Sequence, residues 1–198
     1  MNLLIIGAGG HGAVVKEIAE LSGRYEKIDF IDDNLKTGAV GPIANLDQYV
    51  NEYEECIVSL GNNQLREALL EKVVNLGYKV PVLIHPGSYV SPTASISAGT
   101  VIEANAGVNA NSRIGRGVLI SLGASIDHNA VVEDYAHIDC GAVVNTNATV
   151  SKGSHLESCT AARSGVVTSA VGSYAYSDMD DSWVRKYISE FGDEPSFF

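Results

Sequence analysis

The sequence predicts an α/β unit on parallel strands, followed by a parallel β-helix of hexapeptide repeats and a C-terminal helical tail. Three observations carry that reading. Apolar runs alternate with helical patterns over the first 84 residues, an aliphatic residue then recurs at every sixth position, and twenty glycines stand against five prolines. Alternating strand and helix patterns imply a parallel sheet covered by helices. A six-residue period is the mark of a coil with three short strands in each turn.

Composition narrows the class. The 198 residues hold 13 Lys and Arg against 24 Asp and Glu, a net charge of −11, which argues against nucleic acid or an anionic lipid surface as partner. Hydrophobic residues at 45% and charged residues at 19% describe a chain that folds. No apolar run approaches the ~18 residues of a membrane span. The opening MNLLIIGAGG lacks the basic segment of a secretory signal. Three cysteines with no CxxC pair fit a reducing compartment, so a cytoplasmic protein is expected.

Residues 3–6, 28–31, 57–60 and 80–84 are short continuous apolar runs, the pattern of about four parallel strands buried on both faces. Residues 11–21 place Val14, Val15, Ile18, Ala19 and Leu21 on one helical face, and residues 62–76 do the same with Leu65, Leu69, Leu70, Val73 and Leu76. Asn62 or Asn63 suits the start of that second helix and Gly77 its end. This α/β region, residues 1–85, is half of a Rossmann-like fold.

After His85-Pro86 the pattern changes. Val90, Ile96, Ile102, Val108, Ile114, Ile120 and their successors to Leu156 form twelve consecutive rungs. Three residues after each rung, nine of twelve positions are Gly or Asn, which tolerate the positive φ of a tight corner. Four residues after each rung, eleven of twelve are Ala, Ser or Thr, small enough to fit a bend. The rungs therefore stack inside a three-cornered coil over residues 90–161. The frame is expected to fail after Thr160, where Ala162 and Thr168 occupy rung positions. Residues 86–173 are assigned to the coil and 174–198 to a tail that caps its last edge through a stripe of Trp183, Val184, Tyr187, Ile188 and Phe191.

Few residues offer chemistry. His128, in Ile126-Asp127-His128-Asn129, falls at neither a rung nor a corner, and an imidazole there is either a general base or a surface side chain. Gly7-Ala8-Gly9-Gly10-His11-Gly12 follows the first strand and Asp32-Asp33 the second. A GxGxxG loop at a helix start holds a pyrophosphate or serves as a tight structural turn. Half a dinucleotide fold suits a nucleotide-linked sugar better than a whole NAD. Gly61, Asn62 and Asn63 follow the third strand, and strand ends of this kind gather ligands. Histidines without i, i+4 or CxxC partners give no reason to expect a metal. Cys140 and Cys159 are expected to be small buried residues rather than nucleophiles.

Taken together, GAGGHG, LGNN, LIHP and DHN…HIDCGA resemble the PglD/NeuD type of hexapeptide-repeat sugar acetyltransferases across residues 1–160. The resemblance implies a left-handed coil, acetyl-CoA as co-substrate, and a homotrimer with donor clefts between neighbouring chains. It implies that His128 is the base, that His137 contacts the acetyl donor together with Gly141 and Ser158, and that Gly9, Gly10, His11, Asp32 and Asp33 hold a nucleotide sugar. Gly61 and Asn62 join that set by position alone. Family members often carry Glu or Asp directly after the base; here Asn129 stands there, and Asp127 on the other side is the candidate substitute. The expected activity is N-acetylation of a UDP-linked amino sugar. O-acetylation of sialic acid and a catalytically silent sugar-nucleotide-binding trimer are the alternatives.

Overall fold

The computed structural model describes residues 1–168. A small α/β unit opens with β1 (Asn2–Ile6), α1 (Gly10–Leu21), β2 (Lys27–Ile31), β3 (Glu55–Val58) and α2 (Asn63–Asn75). The strands pair in parallel in the order β2-β1-β3, with Leu3 opposite both Ile28 and Glu55. β1 is wholly apolar from Leu3 onward and wholly buried there, as a strand covered on both faces must be. Asn62 caps α2 by accepting from Leu65 N at 2.9 Å, and Gly77 ends it at φ +91°. Both follow the expected signals.

The sheet has three strands, not the four expected. The fourth apolar run adds no strand to the sheet: an isolated bridge joins Lys79, just before it, to Glu55 of β3, and Leu83–Ile84 pairs with Val101–Ile102 of the coil instead. Ile84 lies six residues before Val90, so the repeat already begins there. Periodicity could not separate a buried sheet strand from the first coil strand, because both are short apolar runs.

Fifteen two-residue strands then form a left-handed parallel β-helix of five turns with three flat faces. Each strand pairs with the strand 18 residues on. The first face stacks Leu83–Ile84, Val101–Ile102, Leu119–Ile120, His137–Ile138 and His155–Leu156; the second runs from Tyr89–Val90 to Ala161–Ala162, and the third from Ser95–Ile96 to Val167–Thr168. The rungs from Ile102 to Leu156 form one continuous buried column. Twelve corners, from Gly99 to Gly165 at six-residue intervals, have φ between +56° and +79°. Ten are Gly or Asn; Tyr135 and Cys159 adopt the same conformation against their steric preference.

The frame does not fail after Thr160. Ala161–Ala162 and Val167–Thr168 keep the ladder register, with Ala162 only 1% exposed. A methyl group is enough to continue the column. The expected capping tail, residues 174–198 with Trp183, lies outside the described residues.

The α/β unit sits on the first face. Leu3, Ile5, Val15 and Ile18 pack with Leu83, Val101 and Leu119 in one buried cluster. Arg66 of α2 completes the join. Fully buried, it donates to the carbonyls of Gly117 (2.8 Å), Tyr135 (2.7 Å) and Leu60 (2.9 Å) and to Asn63 Oδ1 (2.8 Å). Burial lowers its pKa to about 9, and carbonyl acceptors rather than a carboxylate hold the guanidinium. Among the described residues no helix is long and apolar enough to cross a membrane.

Candidate active site

The loop between β1 and α1 is shaped by two glycines and left open by two others. A Cβ on Gly12 would lie 2.1 Å from the Gly7 carbonyl oxygen, so the helix can approach the strand only without one. A Cβ on Gly9 or Gly10 would meet nothing within 4 Å, and no side chain caps the start of α1. Free backbone N–H groups at that helix start form an anion-binding surface. Asp32 supports the loop by accepting from Ala8 N at 2.7 Å and Asn34 N at 2.7 Å, while Asp33 accepts from Ile43 N at 2.9 Å. These acids are bound to backbone rather than simply solvated. Asn62 is engaged as the α2 cap.

His11 connects this loop to the coil. Its Nδ1 lies 3.2 Å from Glu103 Oε1, and the other Glu103 oxygen accepts from Leu122 N at 3.0 Å. On the same face, Ser121 Oγ and His137 Nε2 are 3.0 Å apart. His137 stacks on His155 with ring centroids 4.6 Å apart and planes within 4°. Burial, then Arg66 and His155, push the His137 pKa down to about 3, so the ring is neutral in ordinary solution. Its Nδ1 is buried without a hydrogen-bond partner among the described residues.

His137, Asp139 and His155 bring one ligand atom each within 4.8 Å, a grouping that i, i+4 spacing does not reveal. The coil stacks residues 18 apart, which accounts for it. A metal ion lies in the plane of each imidazole that binds it, and two parallel stacked rings cannot both meet that condition. Their geometry suits two rings in stacking contact, with His155 Nε2 also 3.4 Å from Asp139. Gly141, at φ +65°, and exposed Ser158 follow on the adjoining corner. Cys140 and Cys159 lie there too, and both are exposed, contrary to the expectation of buried thiols. Partial burial and Asp139 raise the Cys140 pKa, which removes thiolate character.

His128 is elsewhere. It stands exposed on the corner between the second and third faces, opposite the face that carries His11 and His137. Its Nδ1 is 2.8 Å from Asn129 Nδ2, and its Nε2 is 3.2 Å from Thr146 Oγ1. Thr146 also donates to Asp127. The chain thus brings the loop residues and His137 together and leaves Asp127, His128 and Asn129 on another edge. Sequence reasoning missed Glu103, Ser121, Thr146 and His155. Each lies 18 residues, or one coil, from a residue of the site or its neighbour, and that spacing is the signal that could have found them.

Comparison with known proteins identifies the family. The PglD N-terminal domain family matches residues 2–73. The acetyltransferase domain of PglB from Neisseria gonorrhoeae FA1090, solved in complex with acetyl coenzyme A, is 36% identical with a TM-score of 0.77, over 86% of this chain and 88% of that one. The chain belongs to the PglD-type sugar acetyltransferase family. UDP-N-acetylbacillosamine N-acetyltransferase from Bacillus subtilis (strain 168) is 32% identical over 111 residues, 52% of this chain. The match spans about half of that relative, 51% of its length. A variant of GDP-perosamine N-acetyltransferase from Caulobacter crescentus, solved with CoA and GDP-perosamine, shares the fold at 23% identity and a TM-score of 0.65. It covers 87% of this chain and 95% of its own.

Proposed function

We propose that this PglD-type protein transfers an acetyl group from acetyl-CoA to the amino group of a nucleotide-linked amino sugar, a UDP-sugar in the first instance. The observation that carries the reading is the His11–Glu103 contact of 3.2 Å, which joins an open glycine loop at a helix start to the face bearing neutral His137. A nucleotide phosphate bound by the loop holds its sugar beside that face. Positioning of this kind supplies much of the rate of a two-substrate reaction.

In this reading His128 removes a proton as the sugar amine attacks the thioester carbonyl. The N–H of neutral His137 and nearby backbone N–H groups stabilise the oxyanion, and the C–S bond breaks to release CoA thiol. Gly141 and Ser158 flank the donor. Of the coil cations Arg113, Arg116, Lys152 and Arg163, which are the candidates for a CoA phosphate, Arg116 and Lys152 pair with Glu71 and Glu67, which favours Arg113 and Arg163. Because His128 and His137 occupy opposite sides of one prism, the assembled site needs His128 from one chain and His137 from another. This supports a homotrimer, with residues 1–85 holding the nucleotide sugar and residues 86–173 the acyl donor.

A substrate panel tests the proposal. Release of CoA thiol from acetyl-CoA should depend on a nucleotide-linked amino sugar, and UDP alone should raise thermal stability. Turnover only with free sialic acid would replace the reading with O-acetylation. Sugar-nucleotide binding without any thiol release would identify a silent binding trimer.

A further inference from the structure

Four groups form a continuous hydrogen-bonded chain around His128. Asp127 accepts from His128 N at 2.7 Å and Asn109 Nδ2 at 3.2 Å on one oxygen, and from Thr146 Oγ1 on the other. Those donors, Thr146 first, lower the Asp127 pKa, so it is an ionised acceptor. Thr146 must therefore give its single proton to Asp127. Toward His128 its hydroxyl can only accept, and the ring nitrogen 3.2 Å away must carry a proton. A neutral imidazole protonated at Nε2 has its lone pair on Nδ1, which the Asn129 amide N–H meets at 2.8 Å. Neither nitrogen of His128 then offers a free lone pair to an incoming amine.

We propose that Thr146 and Asn129 are positioning residues that hold His128 in a resting Nε2–H tautomer, and that rotation of the Asn129 amide converts it into the competent base. The conversion rests on the acetyl-transfer reading; the tautomer does not. Turning the amide by half a rotation brings Oδ1 onto Nδ1. Nε2 then releases one proton to water and Nδ1 takes one from water, with no change in charge, because His128 is exposed. The new Nδ1–H donates to Asn129 Oδ1, and Nε2 gives up its bond to the Thr146 oxygen and presents a lone pair to the sugar amine. Asp127 thereby acts on the ring through Thr146, the one-coil neighbour of His128, and not by direct contact. A carboxylate at position 129 could only accept and would favour a proton on Nδ1 throughout, against the pull of Thr146 on Nε2.

Imidazole nitrogen NMR on the full-length protein, at a pH where the ring is neutral and with His128→Gln to assign the signal, reads the tautomer directly. The wild type should show protonated Nε2 and unprotonated Nδ1. Thr146→Val should abolish that preference, Thr146→Ser should retain it, and Asn129→Asp should invert it and raise turnover by up to about tenfold. A wild-type ring protonated at Nδ1, or an unchanged tautomer in Thr146→Val, would overturn the proposal. So would an inverted tautomer in Asn129→Asp with no gain in turnover. The expected wild-type spectrum from a protein inert toward every amino-sugar nucleotide would support the wiring and count against acetyl transfer alone.

Discussion

Burial makes His137 a sensor of acid. Its folded-state pKa of about 3 lies below the ordinary 6.5, so the unfolded chain binds a proton that the folded chain refuses between those values. Stability from this group is complete above about pH 6.5 and falls as pH drops toward 3, by about 1.4 kcal/mol per pH unit at most. Urea unfolding at stepped pH should show that slope, and His137→Gln should flatten it. Arg66 is a second sensitive residue. Arg66→Met should cost about 3–5 kcal/mol by leaving buried carbonyls of Gly117 and Tyr135 without donors, again read by urea unfolding. At this scale the sequence revealed the candidates that stand in motifs: His128 in its frame, His11 in its glycine loop. It concealed Arg66, since an arginine on a helix is normally solvated. It also concealed the stacking of His137 on His155, which depends on a neighbour 18 positions away.

The coil is the element most fully legible from the chain. Its rung period, its small bends and its Gly or Asn corners are three independent constraints of one geometry, and each left its own residue pattern. The exceptions are informative. Cys159 holds φ +56° with an exposed side chain, so Cys159→Gly should raise stability by about 1 kcal/mol, visible as a higher urea midpoint. Tyr135 holds φ +59° for a different reason. Its ring packs against the α2 cluster, its hydroxyl donates to Glu71 at 2.7 Å, and its carbonyl receives Arg66. Glycine there would relieve the backbone and keep the carbonyl, but lose the ring packing and the bond to Glu71. The first coil strand and the last turn are not legible in the same way, because their residues depart from the pattern of the rest. Leu83–Ile84 has the apolar character of a sheet strand, and Ala162 is small for a rung.

On the scale of the whole molecule, the division of residues between two sides of the prism governs the function. The glycine loop, His11 and His137 share the first face, and His128 stands on the opposite corner. Nine residues, half of an 18-residue turn, separate His128 from His137, so this separation follows from the sequence only once the three-faced period is applied to it. Sites shared between chains allow complementation. Mixed oligomers of His128→Ala and His137→Ala chains, each inactive alone, should recover about a quarter of wild-type turnover, because random pairing leaves that share of sites intact. The most direct measurement is the rate of CoA thiol release with an amino-sugar nucleotide for wild type and His128→Ala. We predict steady release by the wild type and a loss of about 100-fold or more in a variant with unchanged melting temperature and oligomeric state. Equal rates in the two proteins would contradict the account.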